Sequence, residues 1–391
     1  MNFRSCIALA GLLSFFTPLH ANADQFRVLY TFKGYGTGGV PEGGVILGSQ
    51  NTLYGETAAG GTAPCSESHG DPHNGCGTVY SVSKAGGFKV LASFHGPNGA
   101  YGTSGLTLVG NTLYGATERG GAFEKGVIFS VNTDGSNFTL LHQFNGIDGD
   151  DPIGPLVPGP NGILYGFTTN GGPNYPSQSP GVLFSLSPSG AYTILHVFSP
   201  ADGYFPNTLV MTPSGTLVGG TSLGGPGNNI CGTQGCGVIF SFNPTLSQYT
   251  LLKTYDGSGG TTPFIGSVAA DGTIYGNDFN LFSITLAGNY QILASSDPCF
   301  IGQQQQSGPT LGPGGILYGT FTTGQCFNTS GSLYSYNPAN PGVLTLDYSF
   351  GSQGSGSPPA AQPIVLPNGD VIGTAELTKN DNGGTIWEYT P

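Results

Sequence analysis

The stretch NTLYGATERGGAFEKGVIFSVNTDGSNFTLLHQF, which runs from Asn111 to Phe144, contains three short apolar phrases separated by glycine-containing segments. A similar stretch, NTLYGETAAGGTAPCSESHGDPHNGCGTVYSVSKAGGFKVLASF, runs from Asn51 to Phe94. Apolar runs of this length that are bounded by turn residues are typical of β-strands. The two stretches therefore predict one repeated structural unit made of strands.

The unit occurs seven times. The first phrase, LYG or a close variant, recurs every 43 to 60 residues and has its central residue at Tyr54, Tyr114, Tyr165, Val218, Tyr275, Tyr318 and Ile372. The second phrase begins at Gly77, Gly126, Gly181, Gly237, Asn280, Gly331 and Gly384. The third begins at Val28, Val90, Leu140, Ile194, Leu251, Ile292 and Leu346. A short apolar phrase precedes each LYG phrase, so every unit supplies four strands, which we label a to d from the inside outward.

Repeated four-stranded units of this length are characteristic of a β-propeller. A third-phrase strand at Arg27 to Phe32 precedes the first unit, whereas none follows the last. We therefore predict an all-β protein, a seven-bladed β-propeller whose ring is closed when this N-terminal strand pairs beside Gly384 to Tyr389. Closure removes the exposed edges of an open array. A straight β-solenoid is the alternative, although its coils are usually shorter than ~50 residues.

The composition is that of an exported β-protein. The chain has 69 Gly, 29 Pro, 24 Phe and 19 Tyr, and 37% of its residues are apolar, which argues against disorder. Residues 1–23 begin with a basic residue, Arg4, continue with a short apolar run and end with small residues, as signal peptides do. We expect one propeller domain over residues 24–391, located outside the cell or in the periplasm.

Charge and hydropathy exclude two classes of partner. The chain has 9 basic and 21 acidic residues, for a net charge of −12, so it should repel the phosphates of nucleic acid. No run outside the leader approaches the ~20 apolar residues that a membrane span needs. The expected partner is therefore an extracellular glycan or another cell-surface ligand.

Six cysteines follow the leader, and in an exported protein they suggest disulfides. Sequence proximity favours Cys65 with Cys76 and Cys231 with Cys236. Cys299 and Cys326 would then pair with each other, although six cysteines permit 15 connectivities. Because Cys299 lies in a d-to-a loop and Cys326 in the next b-to-c loop, the strand register puts both on one face in neighbouring blades.

The loops of the two faces differ. The a-to-b turns are short and polar, as in PNGI from Pro160, and are hairpin signals. The d-to-a and b-to-c loops share the other face and are long and irregular, as in NGIDGDDPIG from Asn145 and TERGGAFEKG from Thr117. Elaborate loops on a rigid scaffold tend to carry function. We therefore expect the functional site on this face.

The repeat also has a recognisable signature. With LYGATERGGAFEKGVIFSV from Leu113 and LYGFTTNGGPNYPSQSPGVLFSL from Leu164 as its clearest copies, the chain resembles the GloVer tandem-repeat family of exported bacterial proteins from Phe26 to Tyr389. The resemblance implies a β-propeller-like fold and export, and it brings no established catalytic residues. Blade five departs most, since IYGNDFNLFSI from Ile274 lacks the Gly-Gly loop.

Two loops contain residue types that bind metals. His69, Asp71 and His73 form HGDPH between two cysteines, and imidazoles with a carboxylate could ligate a transition metal, although a solvated polar loop is the alternative. Asp148, Asp150 and Asp151 are spaced to offer oxygens to calcium. No twelve-residue EF-hand pattern accompanies them, and turn-forming aspartates are the alternative.

Two carboxylates should approach the rim of the central channel. Glu42 precedes strand a of blade one, and Asp151 occupies nearly the matching place in blade three. A facing pair of carboxyl groups is what glycoside hydrolysis needs. Chance placement among 21 acids is the alternative.

Aromatic residues in the same loops suit sugars, because aromatic faces stack on sugar rings while amides and carboxylates bind hydroxyls. The aromatic set comprises Tyr35, Tyr101, Tyr175, Tyr204, Phe205, Phe264, Phe300 and Phe327. The residues that we expect to bind a ligand are Asp148, Asp150, Asp151, Tyr101, Tyr175, Tyr204 and Arg119.

The sequence favours an exported propeller that binds an extracellular ligand, most plausibly a carbohydrate, on this face. A glycosidase or polysaccharide lyase on the same face is the first alternative, and a structural surface or matrix protein is the second. A lyase acting on uronates needs cations, and these loops contain few of them, among them Arg119 and Lys125.

Overall fold

The computed structural model describes residues 25–62, 65, 75–177, 179–227, 230–258, 260–295, 307–322, 331–351, 357–377 and 383–391. Within these ranges the strands form seven antiparallel sheets arranged in a ring, which is the predicted seven-bladed β-propeller. In six sheets the strands run in chain order from an inner strand a to an outer strand d, and in the seventh the outer strand is the N-terminal β1. No helix in the described ranges is long and apolar enough to cross a membrane.

The first four blades occupy residues 45–254. Blade one contains β2 Val45–Leu47, β3 Thr52–Thr57, β4 Thr78–Ser83 and β5 Phe88–Ser93. Blade two contains β6 Thr107–Val109, β7 Thr112–Thr117, β8 Val127–Asn132 and β9 Thr139–Gln143. Blade three contains a split inner strand, β10 Asp150–Pro152 and β11 Val157–Pro158, then β12 Leu164–Asn170, β13 Val182–Leu186 and β14 Tyr192–Val197. Blade four contains β15 Tyr204–Met211, β16 Leu217–Leu223, β17 Val238–Asn243 and β18 Gln248–Thr254.

The remaining blades complete the ring. Blade five contains β19 Phe264–Val268, β20 Ile274–Asn277, β21 Leu281–Ile284 and β22 Tyr290–Ala294. Blade six contains β23 Thr310–Leu311, β24 Leu317–Phe321, β25 Ser332–Tyr336 and β26 Leu344–Ser349. Blade seven contains β27 Ser357–Pro359, β28 Ile364–Val365, β29 Val371–Leu377, β30 Gly384–Thr390 and the closing strand β1 Gln25–Phe32. Single 3₁₀ turns lie at Tyr35–Thr37, Ser49–Asn51, Pro160–Gly162 and Pro313–Gly315.

The glycine of each LYG phrase faces an aromatic ring on strand c of the same blade. A Cβ atom added at any of the seven glycines would come within 2.6 Å of that ring or its hydroxyl. The facing pairs are Gly55 with Tyr80, Gly115 with Phe129, Gly166 with Phe184, Gly219 with Phe240, Gly276 with Phe282, Gly319 with Tyr334 and Gly373 with Trp387. Each ring is buried in the blade. The repeated glycine thus exists because the strand b backbone makes room for the aromatic ring of strand c.

The core lies between neighbouring blades. One cluster joins Tyr54 and Phe94 of blade one to Leu113 and Phe129 of blade two. Further clusters of the same kind link successive blades around the ring. Each blade therefore depends on its neighbours for burial, as expected for a repeat protein whose single units cannot bury their own apolar faces.

The predicted closure is confirmed. Strand β1 pairs antiparallel with β30 from Gln25 opposite Thr390 to Phe32 opposite Gly384. Glu388 of β30 is almost fully buried and forms ion pairs with Arg27 of the closing strand and Lys84 of blade one. The seam between the two ends of the chain is therefore held by backbone pairing and by a buried carboxylate with two cations.

Candidate functional site

The predicted functional face is built from glycine contacts between its two kinds of loop. In blades one to four, the first glycine of the Gly-Gly pair after strand b has a positive φ and abuts a glycine of the d-to-a loop that leads into the same blade. The abutting pairs are Gly60 with Gly38, Gly120 with Gly99, Gly171 with Gly149 and Gly224 with Gly203. Because a Cβ at these sites would collide with backbone, the glycines fix how the loops pack.

A repeated threonine at or near the end of strand b anchors the beginning of the b-to-c loop in blades one to four. Its hydroxyl donates to the carbonyl two residues ahead in Thr57, Thr117, Thr168 and Thr221, at 2.7 to 2.9 Å. In three of them the hydroxyl also accepts the amide of a strand c residue. The residue that follows the threonine is thereby held at the inner end of its loop.

A cavity of about 950 Å³ lies at the centre of the ring on this face. Most of its lining comes from the inner strands and from the residues just before them. One lining residue from each blade, in ring order, is Glu42, Thr103, Ile153, Asn207, Phe264, Ser307 and Gln362. The ends of three b strands add Glu118, Ser222 and Glu376.

Hydrogen bonds between blades close the wall of the cavity. Gln362 of blade seven donates its amide to the carbonyl oxygens of Gly266 at 3.0 Å and Pro309 at 3.3 Å, and so joins three blades. Ser104 donates to the Pro152 carbonyl at 3.0 Å. Bonds of this kind hold the inner strands in register around the channel, so the cavity is a rigid feature of the ring.

Three glutamates stand at the mouth of the cavity. Glu42 lies in the loop before β2, and Glu118 and Glu376 lie at the ends of the b strands of blades two and seven. Burial, with smaller contributions from the charges of Glu376 and Glu118, raises the pKa of Glu42 to about 7. Burial also raises the pKa of Glu118 and of Glu376. The mouth therefore offers carboxyl groups that hold protons more tightly than exposed glutamates do.

A fourth carboxyl group lies in the wall behind the mouth. Glu56 is fully buried, and its Oε1 accepts the Gly105 amide at 2.6 Å while its Oε2 has no hydrogen-bond partner among the described residues. Burial raises the pKa of Glu56 to about 8, although the amides of Gly105 and Ser104 act in the opposite direction. Glu56 is therefore largely protonated at neutral pH.

The structure brings several predicted ligand-binding residues together beside the mouth, between blades two and three. Arg119 Nη1 lies 2.7 Å from Asp151 Oδ1, and Lys125 Nζ lies 2.7 Å from Asp150 Oδ2. The same ammonium group sits 5.0 Å from the centre of the Tyr175 ring. Burial raises the pKa of Asp150 in spite of the lysine. We call these five residues the blade 2–3 cluster.

Asp148 belongs to a different arrangement. Its carboxylate accepts hydrogen bonds from the Asn145 amide at 2.8 Å and lies 3.1 Å from His142 Nε2. The His142 ring stacks on Tyr192. His196 repeats this arrangement one blade later. The three aspartates proposed for calcium thus face three separate sets of partners, and the described ranges contain no group of three His, Cys, Asp or Glu residues placed to hold a metal ion.

The two carboxylates of the predicted catalytic pair, Glu42 and Asp151, do not lie in the same site. Glu42 lines the cavity, whereas Asp151 lies outside that lining and is bound by Arg119 and by the Asn170 amide at 2.8 Å. Asp151 has a positive φ of 57° at the loop position that Val40 occupies in blade one. Asp151 therefore corresponds to Val40, two residues before Glu42, and a cation already occupies its carboxylate.

The predicted aromatic residues differ in their surroundings. Phe264 lines the cavity and is half-buried. Tyr204 packs against Phe205 with ring centres 4.1 Å apart, and Tyr101 packs against the core between blades one and two. Among the described members of the predicted aromatic set, Phe264 is the one that lines the cavity, and Phe300 and Phe327 lie outside the described residues.

Two of the predicted disulfides form, between Cys65 and Cys76 and between Cys231 and Cys236. Disulfides are typical of oxidising compartments, which indicates a location outside the cytoplasm. The third predicted pair, Cys299 with Cys326, lies outside the described residues, as does the predicted metal motif of His69, Asp71 and His73.

Sequence reasoning did not single out Glu118 and Glu376. A signal for both exists, since each is the sixth residue counted from the start of its LYG phrase, the position that Ser222 occupies in blade four. Aligning the LYG phrases therefore places Glu118, Ser222 and Glu376 at one equivalent position, and all three line the cavity.

Comparisons with solved structures agree with the fold. An oligogalacturonate lyase in complex with manganese is 11% identical, with 95% of this chain and 94% of that chain covered and a TM-score of 0.58. An oligogalacturonate lyase from Vibrio parahaemolyticus is 10% identical with the same coverage and a TM-score of 0.60. The extracellular domain of a one component system from B. thetaiotaomicron is 12% identical over 94% of this chain and 40% of that one, with a TM-score of 0.57. At such identities the likeness is one of fold alone.

Sequence comparison identifies the family. No curated protein matches the sequence. The model of the Gloeobacter/Verrucomicrobia repeat matches residues 12–233 and 68–280, which together cover well over half of the chain. The repeat signature seen in the sequence is thus confirmed, and the chain belongs to the Gloeobacter/Verrucomicrobia repeat family.

Proposed function

We propose that the protein is an exported β-propeller that binds an extracellular glycan in the central cavity. The observation that carries this proposal is the cavity of about 950 Å³ on the face with the long loops. Ligand sites commonly occupy preformed clefts of roughly 300–1,000 Å³ with a few placed polar groups. The cavity is large enough for several sugar units.

The lining suits sugars chemically. Asn207, Ser222 and Gln362 provide amide and hydroxyl groups, and the Glu42 carboxyl can both donate and accept hydrogen bonds near neutral pH. Phe264 adds an aromatic side chain to the same wall. Sugars present hydroxyls at their edges and apolar C–H faces, so a mixed wall of this kind complements both.

Glycan binding is tested by titrating the mature protein with oligosaccharides of different composition and linkage. Phe264→Ala should weaken binding at least about fivefold because it removes an aromatic contact at the centre of the site. Phe123→Ala is the matched control, since Phe123 is 56% exposed on a b-to-c loop outside the cavity lining. Equal loss in both variants would contradict binding in the cavity, and no binding by the wild type together with self-assembly would favour the alternative of a structural surface protein.

A glycosidase at the same mouth is the second candidate. Glu42 lies between Glu376 and Glu118, and a raised pKa of about 7 is what a general acid requires. A lyase is less favoured because Arg119 and Lys125 are already paired with Asp151 and Asp150. Release of reducing ends from a bound polysaccharide, abolished in Glu42→Gln and retained in Glu124→Gln, would establish the hydrolase.

A further inference from the structure

We propose that the cavity selects glycans that carry protonated amino groups, such as glucosamine oligomers, over neutral and uronate glycans. This inference rests on the proposed function, because it assumes that a glycan occupies the cavity. It specifies the charge of the ligand, a property that neither the fold nor the family determines.

The first argument is the charge of the lining. Among the described residues that line the cavity, Glu42, Glu118 and Glu376 are ionisable, and Lys, Arg and His do not occur. Arg119 follows Glu118, but its guanidinium lies 2.7 Å from Asp151 and 3.5 Å from Glu118. The cavity therefore presents a negative potential that attracts an ammonium group and repels a uronate.

The second argument is that two of these carboxyl groups lack partners. The side chains of Glu42 and Glu376 make no hydrogen bond or ion pair with the described residues, and burial raises the pKa of both. A half-buried carboxyl group without a donor is destabilised when it ionises. An ammonium group provides several N–H donors and a positive charge, so it supplies what both side chains lack.

The third argument comes from the wall behind the mouth. Glu56 lies beside the backbone of Gly43 and Gly105, and its Oε2 is fully buried without a partner among the described residues. Because Glu56 is largely protonated at neutral pH, the wall behind the mouth offers a uronate no positive charge there. An anionic sugar at the mouth would meet acids both around it and behind it.

Measuring proton release on binding distinguishes this proposal from attraction of the sugar by the overall negative charge of the protein. The charges of Glu376 and Glu118 act on Glu42, Glu56 lies behind it, and Arg119, the residue that follows Glu118, is paired with Asp151. A bound ammonium group stabilises the ionised form of Glu42 and lowers its pKa. At pH 6, binding of a cationic sugar should therefore release a proton, whereas binding of a neutral sugar should release almost none.

The experiment is calorimetric titration of the mature protein at pH 6 with the glucosamine tetramer, the N-acetylglucosamine tetramer and tetragalacturonate. Each titration is repeated in two buffers that differ in ionisation enthalpy, which gives the number of protons released. We expect the glucosamine tetramer to bind at least about tenfold more tightly than the N-acetylated tetramer, because it gains a charge-assisted hydrogen bond. We expect no measurable binding of tetragalacturonate.

Variants locate the preference. Glu42→Gln and Glu376→Gln should each reduce it about tenfold, and Glu42→Gln should also abolish proton release. Glu124→Gln removes the same charge from an exposed position of the blade two loop and should leave both quantities unchanged. Circular dichroism confirms that each variant is folded.

The outcomes distinguish this inference from the proposed function. Equal affinity for the two tetramers would overturn the charge selection and leave glycan binding standing. If Glu124→Gln also lost the preference, the net charge of −12, and not the cavity, would attract the sugar. That result would also overturn the charge selection by the cavity. Absence of binding to every oligosaccharide would overturn both.

Discussion

Replacing Glu56 by glutamine isolates the most deeply buried acid of the candidate site. The Glu56 side chain is fully buried, its Oε1 accepts the Gly105 amide at 2.6 Å, and its pKa is raised to about 8 chiefly by burial. Glutamine has almost the same shape and keeps an oxygen for the Gly105 amide, but it cannot ionise. The variant therefore changes the titration and leaves the packing of the wall nearly as it was.

The sign and size of the pH effect on stability follow from the pKa values of Glu56 in the folded protein and in the unfolded chain. In the unfolded chain Glu56 titrates near 4.5, so between about pH 4.5 and about pH 8 the folded protein binds one proton more than the unfolded chain. The free energy of unfolding of the wild type therefore falls as pH rises through this window, by at most about 1.4 kcal/mol per pH unit. This contribution is fully present below pH 4.5 and is lost by about pH 8. The total is at most about 5 kcal/mol, and water that enters the ionised site reduces it.

The assay is urea-induced unfolding of both proteins at pH 5, 6.5 and 8. At pH 5 the free energy of unfolding of Glu56→Gln should be about 1–3 kcal/mol lower than that of the wild type, because the buried NH₂ group of the glutamine lacks an acceptor. Between pH 5 and pH 8 it should gain at least about 2 kcal/mol relative to the wild type. The acids Glu42, Glu118 and Glu376 are present in both proteins, so their titration cancels in the difference.

An exposed control separates this effect from a change in net charge. Glu124→Gln should follow the wild-type curve at every pH, because Glu124 is exposed. Parallel curves for the wild type and Glu56→Gln would show that Glu56 ionises as easily in the folded protein as in the unfolded chain. That result would refute the argument from burial and remove Glu56 from the account of the cavity.

Two further predictions concern the fold. Gly115→Ala should lower the free energy of unfolding by about 1–3 kcal/mol in urea titrations, because the added Cβ would lie 2.6 Å from the facing phenylalanine ring, whereas Gly36→Ala has open space and should change little. Removal of Arg27 or Lys84 alone should cost about 1 kcal/mol, because each leaves Glu388 with the other cation. The double Ala variant should lose more than the sum of the two, about 3 kcal/mol or more, since it leaves a buried carboxylate unpaired, and simple additivity would contradict a shared partner.

Much of the fold could be predicted because the sequence repeats its constraints. The seven LYG glycines mark strand b, and the aromatic residue of the following phrase marks strand c, since each needs the other to pack. The strand at Arg27 to Phe32 has no unit of its own, which identified it as the closing strand. Register and closure are thus determined by local pairs of residues, which a sequence displays directly.

The candidate site was harder to predict from the sequence than the fold, and the reason is physical. Glu42 was expected at the rim because it precedes an inner strand, and it does line the cavity. Asp151 looked equivalent but falls at the loop position with positive φ, so its side chain turns toward Arg119 and Asn170. A two-residue difference in position along the chain therefore redirects a side chain, and composition alone does not show it. Glu118 went unnoticed because its role depends on where strand b ends.

The cavity also explains how a chain with 8% charged residues can gather acids in one place. Glu56 is largely protonated at neutral pH and Glu42 is partly so, which lowers the electrostatic cost of placing them near Glu118 and Glu376. In this state the carboxyl groups donate as well as accept hydrogen bonds, as sugar hydroxyls require. When a cation enters, Glu42 can release its proton and pair with it. One set of side chains can therefore hold a neutral sugar ring and still favour the ring that carries an ammonium group.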